Sequence, residues 1–190
     1  MTPQHKKREA PFSREKWLET ALDTLAAVPN FKFNLDILIK AMPVTKGSFY
    51  NHFKNRHEFL LALADYWRRH YTHYVIDALR QYPGTRQPEQ WLLELVYELY
   101  EMDLLRFEQL IRSLGREIAQ IEETVKRVDL ERYQVLEEVF SGLGFTGGEL
   151  DMRIRIFMTV ISQESNLSLD LPDGDWSKQL QARVKFLTRP

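Results

Sequence analysis

Three times in the first 53 residues an apolar side chain, a capping residue and a second apolar side chain recur at one spacing, and each recurrence marks a helix start. Phe12, Ser13 and Trp17 make the first set, Phe33, Asn34 and Leu38 the second, and Val44, Thr45 and Phe49 the third. In each set the polar residue sits at the N-cap, where its oxygen accepts an early backbone N–H, while the apolar pair at N′ and N4 clamps the entry of the chain. A first helix is predicted from Arg14 to Ala27, with Trp17, Leu18, Ala21, Leu22 and Leu25 on one face, and Val28-Pro29-Asn30 stops it. The second helix ends near Ala41 and the third is short. Three closely spaced helices of this length leave a compact N-terminal unit as the simplest fold.

The third helix divides its residues sharply. Phe49 and Phe53 share one face at i, i+4 and point inward, which turns Gly47, Ser48 and Asn51 outward. That outer face is small and polar. Gly47 lets the backbone come close to a surface, Ser48 can bond either kind of base edge, and Asn51 can pair bidentately with adenine in a major groove. Lys46, Tyr50 and His52 flank it as phosphate contacts, and Arg56 lies exposed in the first turn of the next helix. With the capping Thr45, these residues form the expected DNA-contacting set.

Asn55, with Glu58 three residues on, completes a capping box and opens a longer helix. Its apolar series Phe59, Leu60, Leu63, Trp67, Tyr71, Tyr74, Val75 and Ala78 runs for about 25 residues, near 40 Å, before Tyr82-Pro83-Gly84-Thr85 ends it. The rest reads as helices over 89–105, 107–121, 122–141, 149–169 and 177–187, with no alternating strand and no internal repeat. The expected fold is all α, with a DNA-binding domain over 1–54 and a helical domain over 55–190 joined by the long helix.

A net charge of −1 hides two unlike parts. Through His70 there are 12 Lys and Arg against 7 Asp and Glu, leaving 14 of the 26 basic and 20 of the 27 acidic side chains for the remainder. The basic part carries the motif, as expected if only that part meets a polyanion. Met1–Pro11, with Lys6, Lys7 and Arg8, reads as a basic arm, either a solvated tail or a minor-groove and phosphate contact. There is no cysteine, so disulfides and thiol nucleophiles are excluded. No apolar run reaches the length of a membrane span and no export signal is apparent, so a cytoplasmic protein is expected. His70, His73 and Asp77 have a spacing a metal can use, but no further ligand set supports one, and a polar helix face is the simpler reading. The motifs of nucleotide-binding loops, hydrolases and metalloproteases are all missing. Neither an enzyme, nor a cofactor, nor a metal is expected.

The run Val44-Thr45-Lys46-Gly47-Ser48-Phe49-Tyr50-Asn51-His52-Phe53-Lys54-Asn55-Arg56-His57-Glu58-Phe59-Leu60 resembles the recognition helix and following segment of tetracycline-repressor (TetR) family transcription regulators. The likeness extends from about Ser13 to Leu63. It implies a helix-turn-helix domain on double-stranded DNA with a pseudo-palindromic operator, a helical regulatory domain, a homodimer, and repression relieved by a small apolar or aromatic effector. Met42-Pro43 stands where the family usually has Ala-Gly, and Ile39 where it has Ala, so the angle between the second and third helices is expected to differ. An effector cavity, expected from the resemblance, draws on Tyr66, Trp91, Tyr97, Tyr100, Met102, Phe107, Tyr133 and Met158. The dimer face the family would use draws on Met152, Ile156, Phe157, Val160, Trp176, Leu180 and Val184, which otherwise read as ordinary core. Two alternatives stay open: an adaptor that has lost operator binding and works through protein partners, and a helical small-molecule-binding protein.

Overall fold

The computed structural model describes residues 12–28, 34–42, 44–80, 87–163 and 176–189, with backbone alone at 78–80, 162–163 and 176. The basic arm, Phe33, Pro43 and the Tyr82–Thr85 turn lie outside these residues. The chain divides into two compact units, Met1–Tyr66 and Trp67–Pro190. Among the described residues all regular structure is helical.

The first unit holds α1 (Arg14–Ala26), α2 (Leu35–Ala41), α3 (Lys46–His52) and nearly all of α4 (Arg56–Trp67). Its caps are made as the side chains predict. Ser13 Oγ accepts the Lys16 N–H at 3.1 Å, Asn34 Oδ1 the Asp36 N–H at 2.9 Å, and Thr45 Oγ1 the Ser48 N–H at 3.2 Å. The Phe12 and Trp17 rings meet edge-on at 6.3 Å, closing the first staple. Asn55 Oδ1 accepts the Glu58 N–H at 2.9 Å. The Glu58 carboxylate reaches back one residue further than in the usual box, to the Lys54 N–H at 2.8 Å. Met42 has the extended backbone expected of a residue before proline, with φ −123° and ψ 147°.

After α4 come a π-helical turn (Arg68–His73) and α5 (Tyr74–Arg80). The predicted long helix is therefore not uniform. A π turn brings residues five apart onto one face, and Arg68 Nη1 lies 3.0 Å from His73 Nε2, which in turn is 3.1 Å from Glu131 Oε2. His73 is thus engaged by a carboxylate and a guanidinium, and among the described residues no group of three or more metal-ligating side chains forms.

Beyond it come α6 (Pro88–Glu101), α7 (Leu104–Gly115), α8 (Ala119–Gly142), α9 (Gly147–Gln163) and α10 (Trp176–Thr188). Two boundaries differ from the periodicity. The helix predicted over 89–105 breaks at Asp103, whose φ of 50° is left-handed and cannot continue it. The helix predicted over 107–121 stops at Gly115, where a Cβ would sit 3.4 Å from the Glu122 backbone. The end of α7 and the start of α8 are there in close van der Waals contact. Ile76, Trp91, Leu92, Val96, Leu136, Phe140, Ile154 and Phe157 form the centre of the second unit's core.

Inside this unit Glu108 is buried, 6% exposed, yet charged. Its Oε1 accepts from Arg112 Nε and Nη2 at 2.9 and 2.8 Å, and its Oε2 accepts from Arg132 Nη1 at 2.8 Å. Arg112 also binds Asp129. Burial pushes the Glu108 carboxyl up, but the charges and hydrogen bonds of Arg132 and Arg112 outweigh it and hold the group below its ordinary value of 4.5. A carboxyl that is more acidic folded than unfolded stabilises the fold above its unfolded value and loses that contribution as pH falls through the folded one. Acid unfolding of the second unit should therefore begin below about pH 4.5. In Glu108→Gln the acid dependence should flatten, with a loss at pH 7 of about 3 to 5 kcal/mol from leaving two arginines short of a partner. Denaturant unfolding at pH 7 and pH 4 checks both.

Candidate functional site

Helix α3 has seven residues and little stability of its own, so its orientation comes from what its inner face touches. Phe49 is the hub. Its ring lies 5.6 Å from Trp17 of α1, 5.3 Å from Phe53 and 5.3 Å from Phe59 of α4, and Phe53 and Phe59 close the cluster at 4.9 Å. The guanidinium of Arg14 caps it, 5.0 Å over the Phe53 ring. All four rings are essentially fully buried. Three of these four ring contacts, all but Phe49–Phe53, are edge-to-face, which adds directional preference to the burial itself.

With Phe49 and Phe53 turned in, the remaining residues face out. Thr45, Lys46, Gly47, Tyr50, Asn51 and Arg56 are exposed, and Ser48 and His52 half-buried. Tyr50, 60% exposed, leans its ring edge-on against Phe49 at 5.3 Å, which fixes the ring while leaving the hydroxyl end outward. Lys46 Nζ meets Asp36 Oδ1 at 2.8 Å and ties the start of α3 to α2. The hydrogen bond and charge of Lys46 hold the Asp36 carboxyl below its usual range, and those of Asp36 raise the Lys46 ammonium. Sequence reasoning missed this pair, although Asp36 in the first turn of α2 is visible as a helix-start acid.

The aromatic set expected around an effector is dispersed. Tyr66 ends the first unit and Trp91 belongs to the core of the second. Tyr97 bonds its hydroxyl to Ser177, Tyr100 is half-buried, and Met102 is 44% exposed. Burial of Tyr100 raises its phenol above the ordinary value despite the nearby charge of Arg183. Phe107 packs on Tyr71 at 4.9 Å under Arg106, and Tyr133 donates to Asp151 Oδ1 at 2.9 Å. Tyr133 and Met158 share a shallow depression beside Asp151 and Arg155, and of the eight Met158 also lines a more enclosed cavity of the unit. That cavity measures ≈ 80 Å³ and lies among the π turn, α5, α6, α7, α8 and α9, with Tyr71, Ile76, Leu105, Phe157 and Met158 in its walls. Its polar lining is Thr72, Glu108 and Arg132. No aromatic stripe marks it in sequence, because most of its wall is aliphatic.

The expected dimer residues separate into two groups. Phe157, Leu180 and Val184 are buried within their own unit, with Phe157 5.9 Å from Phe140, and have almost no surface left to give a partner. Met152 and Ile156 are exposed and Val160 is half-buried. The Trp176 side chain lies outside the described residues. Phe186, 77% exposed on α10, joins Met152 and Ile156 along an open groove. It was not among the expected residues, though its offset from Leu180 and Val184 along α10 was visible as a second apolar stripe.

No family model matches the chain, and no curated protein matches it. Solved structures do. The chain is similar to GusR of Salmonella enterica at 13% identity, covering 97% of this chain and 99% of that one, with a TM-score of 0.64. It is similar to AmtR of Mycobacterium smegmatis at 16% identity, covering 100% and 91%, with a TM-score of 0.55. It is also similar to the reduced form of E. coli NemR at 18% identity, covering 92% and 96%, with a TM-score of 0.53. These three are TetR-family regulators, and the all-helical fold of this chain is theirs.

The aromatic hub and the outer face should respond differently to mutation. Phe49→Ala should destabilise the first unit by about 3 to 5 kcal/mol, whereas Asn51→Ala, at an exposed position, should stay within about 0.5 kcal/mol of the parent. Denaturant unfolding followed by tryptophan fluorescence tests the pair.

Proposed function

We propose that this protein is a homodimeric transcription regulator that binds operator DNA through α3. The observation that carries the reading is the division of that helix: an inner face locked by Phe49 and Phe53, and an outer face of Gly47, Ser48 and Asn51 small and polar enough to enter a major groove. Asn51 and Ser48 read bases, while Thr45, Lys46, Tyr50, His52 and Arg56 position the helix on phosphates. The DNA-reading domain in this proposal is 1–54, with α4 opening the regulatory and dimerisation domain over 55–190. No catalytic role is assigned to any residue. Among the described residues no helix is long and apolar enough to cross a membrane. The resemblance of the motif and the shared fold support repression relieved by a small effector, and a cytoplasmic location.

Selection of bound sequences from random duplex DNA should return a pseudo-palindrome whose half-sites lie about 34 Å apart. On that operator Asn51→Ala should cost about 1 to 3 kcal/mol, with much less loss on random DNA. Equal losses on both would remove Asn51 from base reading. Asp36→Asn frees Lys46 from its carboxylate partner and should strengthen binding to all sequences, most at low salt.

Dimerisation is proposed through α9 and α10, using the exposed Met152, Ile156 and Phe186 with Val160 at the edge. A two-fold contact of this face with its own copy is self-complementary and covers apolar surface that one chain leaves open. Phe186→Asp should give folded monomers with greatly weakened operator binding, read by sedimentation and gel shift. Phe157→Asp is expected instead to disrupt the core, since Phe157 is buried against Phe140.

A further inference from the structure

The cavity of the second unit has a polar end that the proposed effector role does not by itself explain. Glu108 is largely occupied: its two oxygens already accept three hydrogen bonds from Arg112 and Arg132. Arg132 is not. It donates Nη1 to Glu108, while Nη2 stands at 3.4 Å from Thr72 Oγ1, the outer limit of a hydrogen bond, and a guanidinium carries five N–H groups. Thr72 is 1% exposed and takes that contact as an acceptor, which keeps its own O–H to donate. The polar end therefore presents the Thr72 O–H and the remaining Arg132 N–H groups as donors.

Charge narrows the ligand further. Glu108 and Asp129 balance Arg112 and Arg132, so the network is neutral without a guest. A carboxylate guest would place an uncompensated charge beside Glu108, and an ammonium would place one beside Arg132, both within an otherwise apolar wall where an unpaired charge is costly. Size sets the scale. A cavity of about 150 Å³ admits benzene, so ≈ 80 Å³ suits a body of about three to four non-hydrogen atoms. Tyr71 and Thr72 both reach this wall from the π-helical turn, a helical variant concentrated at functional sites.

We propose that the cavity binds a small uncharged molecule with an apolar body and one acceptor oxygen, such as a short-chain ketone, aldehyde or ester, and that Thr72 and Arg132 hold that oxygen. The proposal rests on reading the second unit as effector-binding, and it names the chemistry of the effector.

The test uses the full chain without DNA and a matched series of four non-hydrogen atoms: acetone, acetate and isopropylammonium. Binding is followed by methyl NMR titration. Acetone should shift the Ile76, Ile161, Met158 and Leu136 methyls and bind at least about ten-fold more tightly than either ion. Thr72→Val, which keeps the shape and removes the hydroxyl, should weaken it by roughly three- to ten-fold. Arg132→Lys, which keeps the charge facing Glu108, should weaken it while leaving the methyl spectrum of the free protein close to the parent's. Tighter binding of acetate or isopropylammonium, acetone affinity unchanged in both variants, or no binding by any of the three would overturn the assignment. Operator affinity of the same preparation is measured separately. Ketone binding that leaves operator affinity unchanged keeps the ligand chemistry and overturns the effector role, whereas intact operator binding without ketone binding overturns the ligand chemistry alone.

Discussion

Every property of the outer face of α3 depends on the contact of Phe49 with Trp17, Phe53 and Phe59. A seven-residue helix is too short to persist in water, and its cap at Thr45 satisfies only one of its orphan N–H groups. What remains to hold it is burial of two phenylalanines one turn apart, against rings supplied by α1 and α4. Because the Trp17 and Phe59 rings meet Phe49 edge-on and all are buried, rotating α3 about its axis breaks several contacts at once. Asn51 and Ser48 therefore keep a defined direction although neither is itself held in the core.

The second unit solves a different problem. Its core is apolar and extensive, yet it admits Glu108, and the carboxylate is stable there only because two arginines enclose it. The cost of this network is that every member must remain paired. Its consequence is a cavity with one polar end, defined by Thr72, Glu108 and Arg132, in a wall otherwise built from aliphatic and aromatic carbon. Arg132 also stacks 5.7 Å over Trp67, which fixes the guanidinium from a second side.

Much of the first unit was legible in the residues because its determinants are local. A cap and a staple involve side chains four or five positions apart, and the inward pairing of Phe49 with Phe53 follows from helical spacing alone. The second unit was legible in its helical content and much less in its breaks. Asp103 is not a residue that announces a left-handed backbone, and Gly115 ends α7 beside a neighbour that only the fold brings near. The family resemblance pointed to Trp91, Tyr97 and Tyr133 for the cavity, whereas which side chains line a void depends on how each helix is rotated against the others. The same holds for α9 and α10. Their apolar residues are all compatible with a dimer face by spacing, but Phe157, Leu180 and Val184 are consumed by the core while Met152, Ile156 and Phe186 are left outside.

The sequence by itself determined the helical class, the starts of the first helices, the basic first part and the polar outer face of α3, because caps, periodicity and charge act over a few residues. Only the tertiary structure decided the π turn at Arg68–His73, the enclosure of Glu108, the Asp36–Lys46 pair and the position of the cavity. Each of these joins groups on different turns or different helices, and no short-range pattern encodes a contact whose partners are brought together by packing.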